Sequence, residues 1–294
     1  MPLPERRVRD RPDGFPDWLL RRVRTALDED VGPGDVTTEA TIPADARGRA
    51  VIRAKASGTL AGVDAARATF ALIDAAVVYR GLADGAPLEP GTVVAEIEGP
   101  ARSLLVGERT ALNFLQRLSG IATVTRRFVD AATGTRARIL DTRKTTPGLR
   151  MLEKAAVRAG GGDNHRVGLY DMVLIKENHI AVAGGIEAAV ERARAHAPAG
   201  MEIEIEVRDL DELATALRLA PDRVLLDNMP TATMAEAVRV RDHARVATKL
   251  EASGNMSLER VPEVAATGVD YISVGALTHS APALDLSMLV EVER

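Results

Sequence analysis

Residues 136–180 read RARILDTRKTTPGLRMLEKAAVRAGGGDNHRVGLYDMVLIKENHI. A short aliphatic run, ARIL (137–140), leads into a helical segment, LRMLEKAAVRAG (149–160), and then into a second run, DMVLI (171–175). The texture continues downstream. MEIEIEV (201–207), RVLL (223–226), RVATKL (245–250) and DYISV (270–274) alternate with GGIEAAVERARAHA, LDELATALRLA, TATMAEAVRVRDHA and LERVPEVAATG. Six short apolar runs separated by amphipathic, helix-length segments predict a parallel sheet, because parallel neighbours need a crossover of a dozen or more residues. No G-x-G-x-x-G opens a helix after the first run, which argues against a dinucleotide-binding Rossmann domain. A complete or truncated (β/α) barrel is expected instead.

Upstream the pattern differs. Residues 1–16 are rich in Pro, Arg and Asp and are expected to form a loose arm. A short amphipathic helix is predicted over Asp17–Glu29, then a Gly/Pro-punctuated loop, EDVGPGDVTTEATIP (29–43). Residues 49–98 read as mixed α+β: RAVIRAKASGTLAG as a strand pair with a Gly bend, VDAARATFALIDAA as a helix, and DGAPLEPGTVVAEIEG as a turn and strand. The last segment resembles the hammerhead turn of biotinyl and lipoyl carriers, but its tip has no lysine. Residues 101–134 carry apolar positions at three-and-four spacing on both sides of Ser119-Gly120 and are read as two helices joined at Gly120.

Composition narrows the function classes. Among 294 residues, 38 Lys plus Arg face 42 Asp plus Glu, a formal charge of −4, and hydrophobic residues make up 46%. That balance fits a globular fold and argues against a dedicated nucleic-acid binder, as does an aromatic content of only 3%. With no cysteine there is no disulfide, thiolate nucleophile or Cys-based metal site. No run of about 18 apolar residues and no signal-like apolar core is present, so a cytoplasmic protein without membrane spans is expected.

In such sheets chemistry gathers at the carboxyl ends of the strands. ARIL is followed by Asp141, Thr142, Arg143 and Lys144, and DMVLI by Lys176, Glu177, Asn178 and His179. MEIEIEV carries Glu202, Glu204 and Glu206 on alternate positions, and RVLL leads into Asp227 and Asn228. The last two runs end in Ser253-Gly254-Asn255 and Ser273-Val274-Gly275. The charges segregate. Arg143, Lys144, His165, Arg166 and Lys176 form a cationic side, Glu206 and Asp227 an acidic side, and the Gly-containing turns an amide-rich corner. Convergent cations suit a ligand with more than one carboxylate. Paired carboxylates suit Mg²⁺ or ribose hydroxyls, and amide-rich turns suit a phosphate. Together they point to a Mg²⁺-dependent reaction between a phosphorylated sugar and a polycarboxylate.

The blocks EDVGPGDVTT, GERTALNFLQRLSGIAT, ILDTRKTTPGLR, EKAAVRAGGGDNHRVGLYDMVLIKENHI, VLLDNM, LEASGN and ISVGALTHSAPALDLSM resemble the quinolinate phosphoribosyltransferase family, from about residue 29 to 288. The resemblance implies transfer of a phosphoribosyl group from phosphoribosyl pyrophosphate (PRPP) to quinolinate with loss of CO₂, in the presence of Mg²⁺. It implies an open-faced α/β sandwich over 1–115, to which 280–294 returns, joined to an incomplete (β/α) barrel over 116–279. It also implies a homodimer with a shared active site. Carried over residue by residue, Thr142, Arg143, Lys144, His165, Arg166 and Lys176 would hold quinolinate, with Arg109 reaching in from the partner subunit. Glu206 and Asp227 would face the ribose and its metal. Ser253, Gly254, Asn255, Ser273, Val274, Gly275 and His279 would hold phosphate, and Lys144, Glu206 and Asp227 would carry the catalysis. The chain departs from the family in EIEIEVRD, where Arg208 stands in place of an acidic residue.

Plainer readings stand beside these. His196 and His243 are expected on the surface, Lys154 and Arg158 as solvated helix charges, Glu202 and Glu204 as partners of helix cations, and Lys249 as touching phosphate or pairing with Glu251. Two other activities fit the same residues: a phosphoribosyltransferase with a different base, and a Schiff-base lyase using Lys176.

Overall fold

The computed structural model describes residues 14–292. The arm expected over 1–16 falls largely outside them. In chain order the elements are α1 (Asp17–Val31), α2 (Val36–Thr41), β1 (Arg47–Ala54), β2 (Gly58–Thr59), α3 (Val63–Ile73), β3 (Val78–Gly81), β4 (Pro87–Leu88), β5 (Val93–Pro100) and α4 (Ala101–Ala131). There follow β6 (Arg138–Leu140), α5 (Arg150–Ala159), β7 (Val173–Ile175), α6 (Glu177–Ala183), α7 (Ile186–His196), β8 (Ile203–Val207) and α8 (Leu210–Arg218). The chain ends with β9 (Arg223–Asp227), α9 (Thr231–Ala244), β10 (Lys249–Ser253), α10 (Val261–Ala266), β11 (Tyr271–Ser273), α11 (Ala276–His279) and β12 (Leu286–Val292). The described residues fall into two units: residues 14–124, 147–160 and 281–292, and residues 125–146 and 161–280.

The first unit is built on the antiparallel sheet β12-β1-β5-β3. Alternation along β1 puts Ala50, Ile52 and Ala54 inside, where they meet Ile97 of β5, Phe70 of α3, Leu104 and Leu112 of α4, and Leu286 and Met288 of β12. The two halves of RAVIRAKASGTLAG do not pair. β1 joins β12 and β5, and β2 joins β4. Part of the expected loop at 29–43 is the helix α2, because the Asp35 carboxylate caps it, accepting the N–H groups of Thr37 and Thr38.

The two helices expected to meet at Gly120 are one 31-residue helix. Gly120 is there for space. A β-carbon at this position would stand 1.9 Å from the carbonyl oxygen of Pro282, so the C-terminal segment lies directly on the helix backbone. The Gln116 side chain and carbonyl hold the same segment through Leu286 and Leu284.

The second unit carries the six predicted parallel strands in the order β6-β11-β10-β9-β8-β7. This is chain order read around a circle, as in a barrel, with no ladder between β6 and β7 among the described residues. Residue Asp163 bridges to Leu140 beside the open edge. Ile203, Ile205 and Val207 are buried on one face of β8. The other face of the sheet carries Glu204, Arg223, Glu251 and Ser273, which bond to one another or to His165.

Replacing Gly120 by Ala is expected to destabilise the protein by about 3 kcal/mol despite the better helix propensity of Ala, since overpacking against backbone cannot relax by a rotamer change. Urea unfolding of the variant checks this, and a stabilised variant would mean that the segment at 281–285 does not lie on the helix.

Candidate active site

The carboxyl ends of the six strands are organised by the loops that follow them. After β6, the buried Asp141 accepts the backbone N–H of His165 (2.9 Å) and the Asn164 side-chain amide (2.7 Å), which fixes the loop carrying His165 and Arg166 against the strand end. Thr142 Oγ1 accepts the Lys144 N–H at 3.0 Å. Arg143 is half-buried, and its charge and burial together push the Arg166 guanidinium below its ordinary pKa, burial being the larger cause. Cations of like sign gathered at one strand end and the loop tied to it favour an anion there. Lys176, at the N-terminus of α6, donates to Glu206 on β8 at 2.9 Å. The cationic and acidic sides thus meet directly.

The turns after β9 and β10 are built as a pair. Asn228 and Asn255 take the left-handed conformation at φ of 53° and 48°, and Gly254 takes φ of 97°. A β-carbon on Gly254 would stand 2.1 Å from Asn228 Oδ1, so only glycine lets the turns approach. Asn228 donates to Asp227 Oδ2 (3.0 Å) through its side chain and to the Ser253 carbonyl (3.0 Å) through its backbone. Arg260 ties both turns, donating to the carbonyls of Gly254 and Met229 at 3.0 and 2.8 Å. Left-handed backbone at non-glycine residues gathers at sites where geometry matters more than stability. After β11, the Lys144 chain and the His279 ring both close over Gly275, 3.1 and 3.2 Å from where a β-carbon would stand, and Thr278 Oγ1 donates to the Lys144 carbonyl.

Other expected groups are engaged elsewhere. The Ser273 hydroxyl is buried and donates to Glu251. The Val274 N–H belongs to the ladder with Leu140. Neither donor is turned to a ligand at the strand ends. The His165 ring is 8% exposed. Its Nδ1 accepts the Arg166 N–H at 2.7 Å, so the ring proton sits on Nε2 and points at Glu204 Oε2 (2.9 Å) and Glu251 Oε1 (3.6 Å). His165, Glu204 and Glu251 are close enough to surround a cation. That proton fills the space between them, so they form a hydrogen-bonded set instead. Arg109 is exposed on α4, in the first unit.

Several plain readings change. Glu204 pairs with no helix cation. It is fully buried at His165, and its partner is not legible in the sequence because alternation shows the face a residue occupies and not what the sheet puts opposite it. Glu251 pairs with Arg223 at 2.9 Å, not with Lys249, whose partner is Asp270 at 3.5 Å. Lys249 opens β10, at the end remote from the turns. Lys154 is 1% exposed and no solvated charge. Arg260 was also missed; its only signal was position, five residues past Asn255.

Both inner carboxyls are pushed up. Burial is the larger cause for each, and Glu251 rises to about 7, with Glu204 beside it adding to burial while His165, Ser273 and Arg223 oppose. A raised carboxyl pKa stabilises the fold below the unfolded value near 4.5 and loses that contribution as pH climbs through about 7. The variant Glu251→Gln cannot ionise. Its stability relative to the wild type is therefore expected to improve by about 3 kcal/mol from pH 5 to pH 8. Denaturation midpoints at both pH values test this, and a gap that stays constant would put the ionisable group elsewhere.

Comparison with known proteins is consistent along the chain. The family profiles of quinolinate phosphoribosyl transferase match residues 35–119 for the N-terminal domain and residues 121–289 for the C-terminal domain. A Mycobacterium leprae nicotinate-nucleotide pyrophosphorylase [carboxylating] is 46% identical over 270 residues, 90% of this chain and 95% of that one. A probable enzyme of the same description from Bacillus subtilis is 50% identical over 208 residues, 70% of each chain. The crystal structure of NadC from Streptococcus pyogenes superposes with a TM-score of 0.91 at 39% identity, covering 97% of this chain and 100% of that one.

Proposed function

The chain belongs to the quinolinate phosphoribosyltransferase family, and from that premise we propose that its reaction takes place at the polar strand ends of the parallel sheet. The enzyme is a nicotinate-nucleotide pyrophosphorylase (carboxylating), acting in NAD biosynthesis: quinolinate and PRPP give nicotinate mononucleotide, pyrophosphate and CO₂. The observation that carries the site assignment is the Asp141 tie, which holds the loop bearing Arg166 at the strand end that runs into Arg143, two cations that suit the two carboxylates of quinolinate.

In this reading Arg143, Arg166 and Lys176, with Thr142, hold the diacid and aim its ring nitrogen at C1 of the ribose. His165 supports that pocket from below through its ring, because both ring nitrogens are engaged. The nitrogen attacks C1 as pyrophosphate leaves, and Glu206 and Asp227 stabilise the positive charge that develops on the ribose. Lys144, beside Gly275 and His279, neutralises the leaving pyrophosphate. The turns at Ser253-Gly254-Asn255 offer backbone N–H groups to the 5′-phosphate. With the ring nitrogen now quaternary, the bond to the 2-carboxylate breaks. Its electrons stay on ring carbon C2 beside the cation, CO₂ departs, and C2 takes a proton. The protein's part is orientation and electrostatics, with no covalent intermediate.

The carboxylate oxygens of Glu206 and Asp227 are hard donors suited to Mg²⁺, which would be held by them together with pyrophosphate oxygens and would screen the charge of the leaving group. Arg109, on the exposed side of α4, is assigned to the active site of a partner subunit in a homodimer. The proposed location is the cytoplasm, and no described helix is long and apolar enough to cross a membrane. The Schiff-base alternative is opposed by the ion pair. The Lys176 side chain is half-exposed and its Nζ is bonded to Glu206, whereas a Schiff-base lysine needs a desolvated, unpaired amine.

Purified protein with PRPP and Mg²⁺ is expected to form mononucleotide and CO₂ from quinolinate and nothing from nicotinate or nicotinamide. Product from nicotinate would mean a different base specificity. Arg143→Ala is expected to raise KM for quinolinate about 100-fold, or about 3 kcal/mol, with KM for PRPP nearly unchanged. Mixing Arg109→Ala with Arg143→Ala, at a quinolinate concentration too low for turnover by either variant alone, is expected to restore part of the activity through hybrid dimers. No recovery after subunit exchange would place Arg109 in its own subunit's chemistry or outside it.

A further inference from the structure

The amino ends of β10 and β11 form a second charged region, unrelated to the strand ends assigned above. A cavity of about 470 Å³ opens there. It is lined by four cations, Arg136, Arg241, Arg245 and Lys249, and by two carboxylates, Asp242 and Asp270. The cavity thus holds a surplus of two positive charges in a chain whose formal charge is −4.

Asp270 is the centre of this group. It accepts from Arg241 Nη1 at 2.8 Å and from the Leu250 N–H at 2.9 Å, and it faces Lys249 Nζ at 3.5 Å and Arg136 Nε at 3.8 Å. One buried carboxylate answers three cations. Arg241 is 5% exposed, and its Nε takes the second carboxylate, Asp242, at 2.6 Å. Its Nη2 has no hydrogen-bond partner although it is buried. Leaving a buried guanidinium donor unmade is costly, and a ligand oxygen reached by a small side-chain shift would satisfy it.

Arg245 supplies an independent observation. It follows α9 and adopts φ of 54°, a left-handed helix-ending position usually given to Gly or Asn. Its guanidinium makes no ion pair or hydrogen bond among the described residues, yet it stands on the rim of this cavity. A strained backbone, a long cation and no partner together suggest a side chain kept for something that arrives from outside.

We propose that this cavity is a binding site for a phosphate-class dianion. A tetrahedral dianion matches the surplus of two charges. It also takes donors from several directions at once, as guanidinium forks and an ammonium can supply them. The site is separate from the phosphate corner at Ser253, which lies at the other end of β10, about 13 Å along the strand. It does not depend on the catalytic assignment.

The test is titration of inorganic phosphate into the full-length protein, followed by calorimetry, with two variants. Arg245→Gly removes the rim cation while relieving the left-handed backbone, so its melting temperature is expected to be no lower than that of the wild type. Its phosphate affinity at this site is expected to fall at least tenfold, with PRPP- and quinolinate-dependent turnover unchanged. Lys144→Ala weakens the other phosphate corner and is expected to leave the Arg245-dependent binding in place. An unchanged isotherm in Arg245→Gly overturns the proposal. So does loss of all phosphate binding in Lys144→Ala, which would put every bound phosphate at the carboxyl ends.

Discussion

Placing charge inside a parallel sheet is expensive, and the second unit does so in a bonded set. Glu204 and Glu251 are fully buried, Arg223 sits against Glu251 at 2.9 Å and over the Tyr271 ring at 4.3 Å, and the His165 proton lies between the two carboxylates. Removing any one member would strand the others in a low-dielectric interior. The set therefore specifies a single arrangement of β8, β9, β10 and β11. It also holds the loop that carries Arg166, because the His165 backbone is tied to Asp141. The cationic side of the site rests on a polar interior and not on an apolar core.

The strands make the two ends of the sheet chemically different. At the carboxyl ends, turns in left-handed conformation bring Asp227, Asn228, Ser253 and Gly254 together, with Arg260 holding their carbonyls from behind. At the amino ends, Arg241 and Asp270 tie α9 to β10 and β11. Short strands allow this. Only Leu250, Glu251 and Ala252 separate Lys249 from Ser253, so two differently charged regions can sit at the two ends of one strand.

The first unit solves a simpler problem. It buries an aliphatic face of one antiparallel sheet against α3 and α4, and closes the sheet with a strand from the far end of the chain. A sharp constraint on it is steric. Gly120 must lack a side chain for residues 281–285 to lie on α4. A glycine in mid-helix looks like a break when local propensity alone is weighed, and becomes a contact surface once a second segment covers it.

The sequence by itself determined the six-strand parallel alternation, the residues that follow each strand and the family, since these depend on periodicity and on local blocks such as DTRKTTPG and GGDNHR. It also put Lys176 and Glu206 at one mouth, on its cationic and acidic sides, and the structure pairs them directly. Only the tertiary structure decided that Glu204 faces His165, that Glu251 takes Arg223 in preference to Lys249, that the Ser273 hydroxyl turns inward, and that α4 runs unbroken. The physical reason is the same in each case. A repeating pattern reports which face of an element is apolar, but a partner 20 to 160 residues away is chosen by how the sheet closes and which strand lies beside it, and no local stretch of chain contains that information.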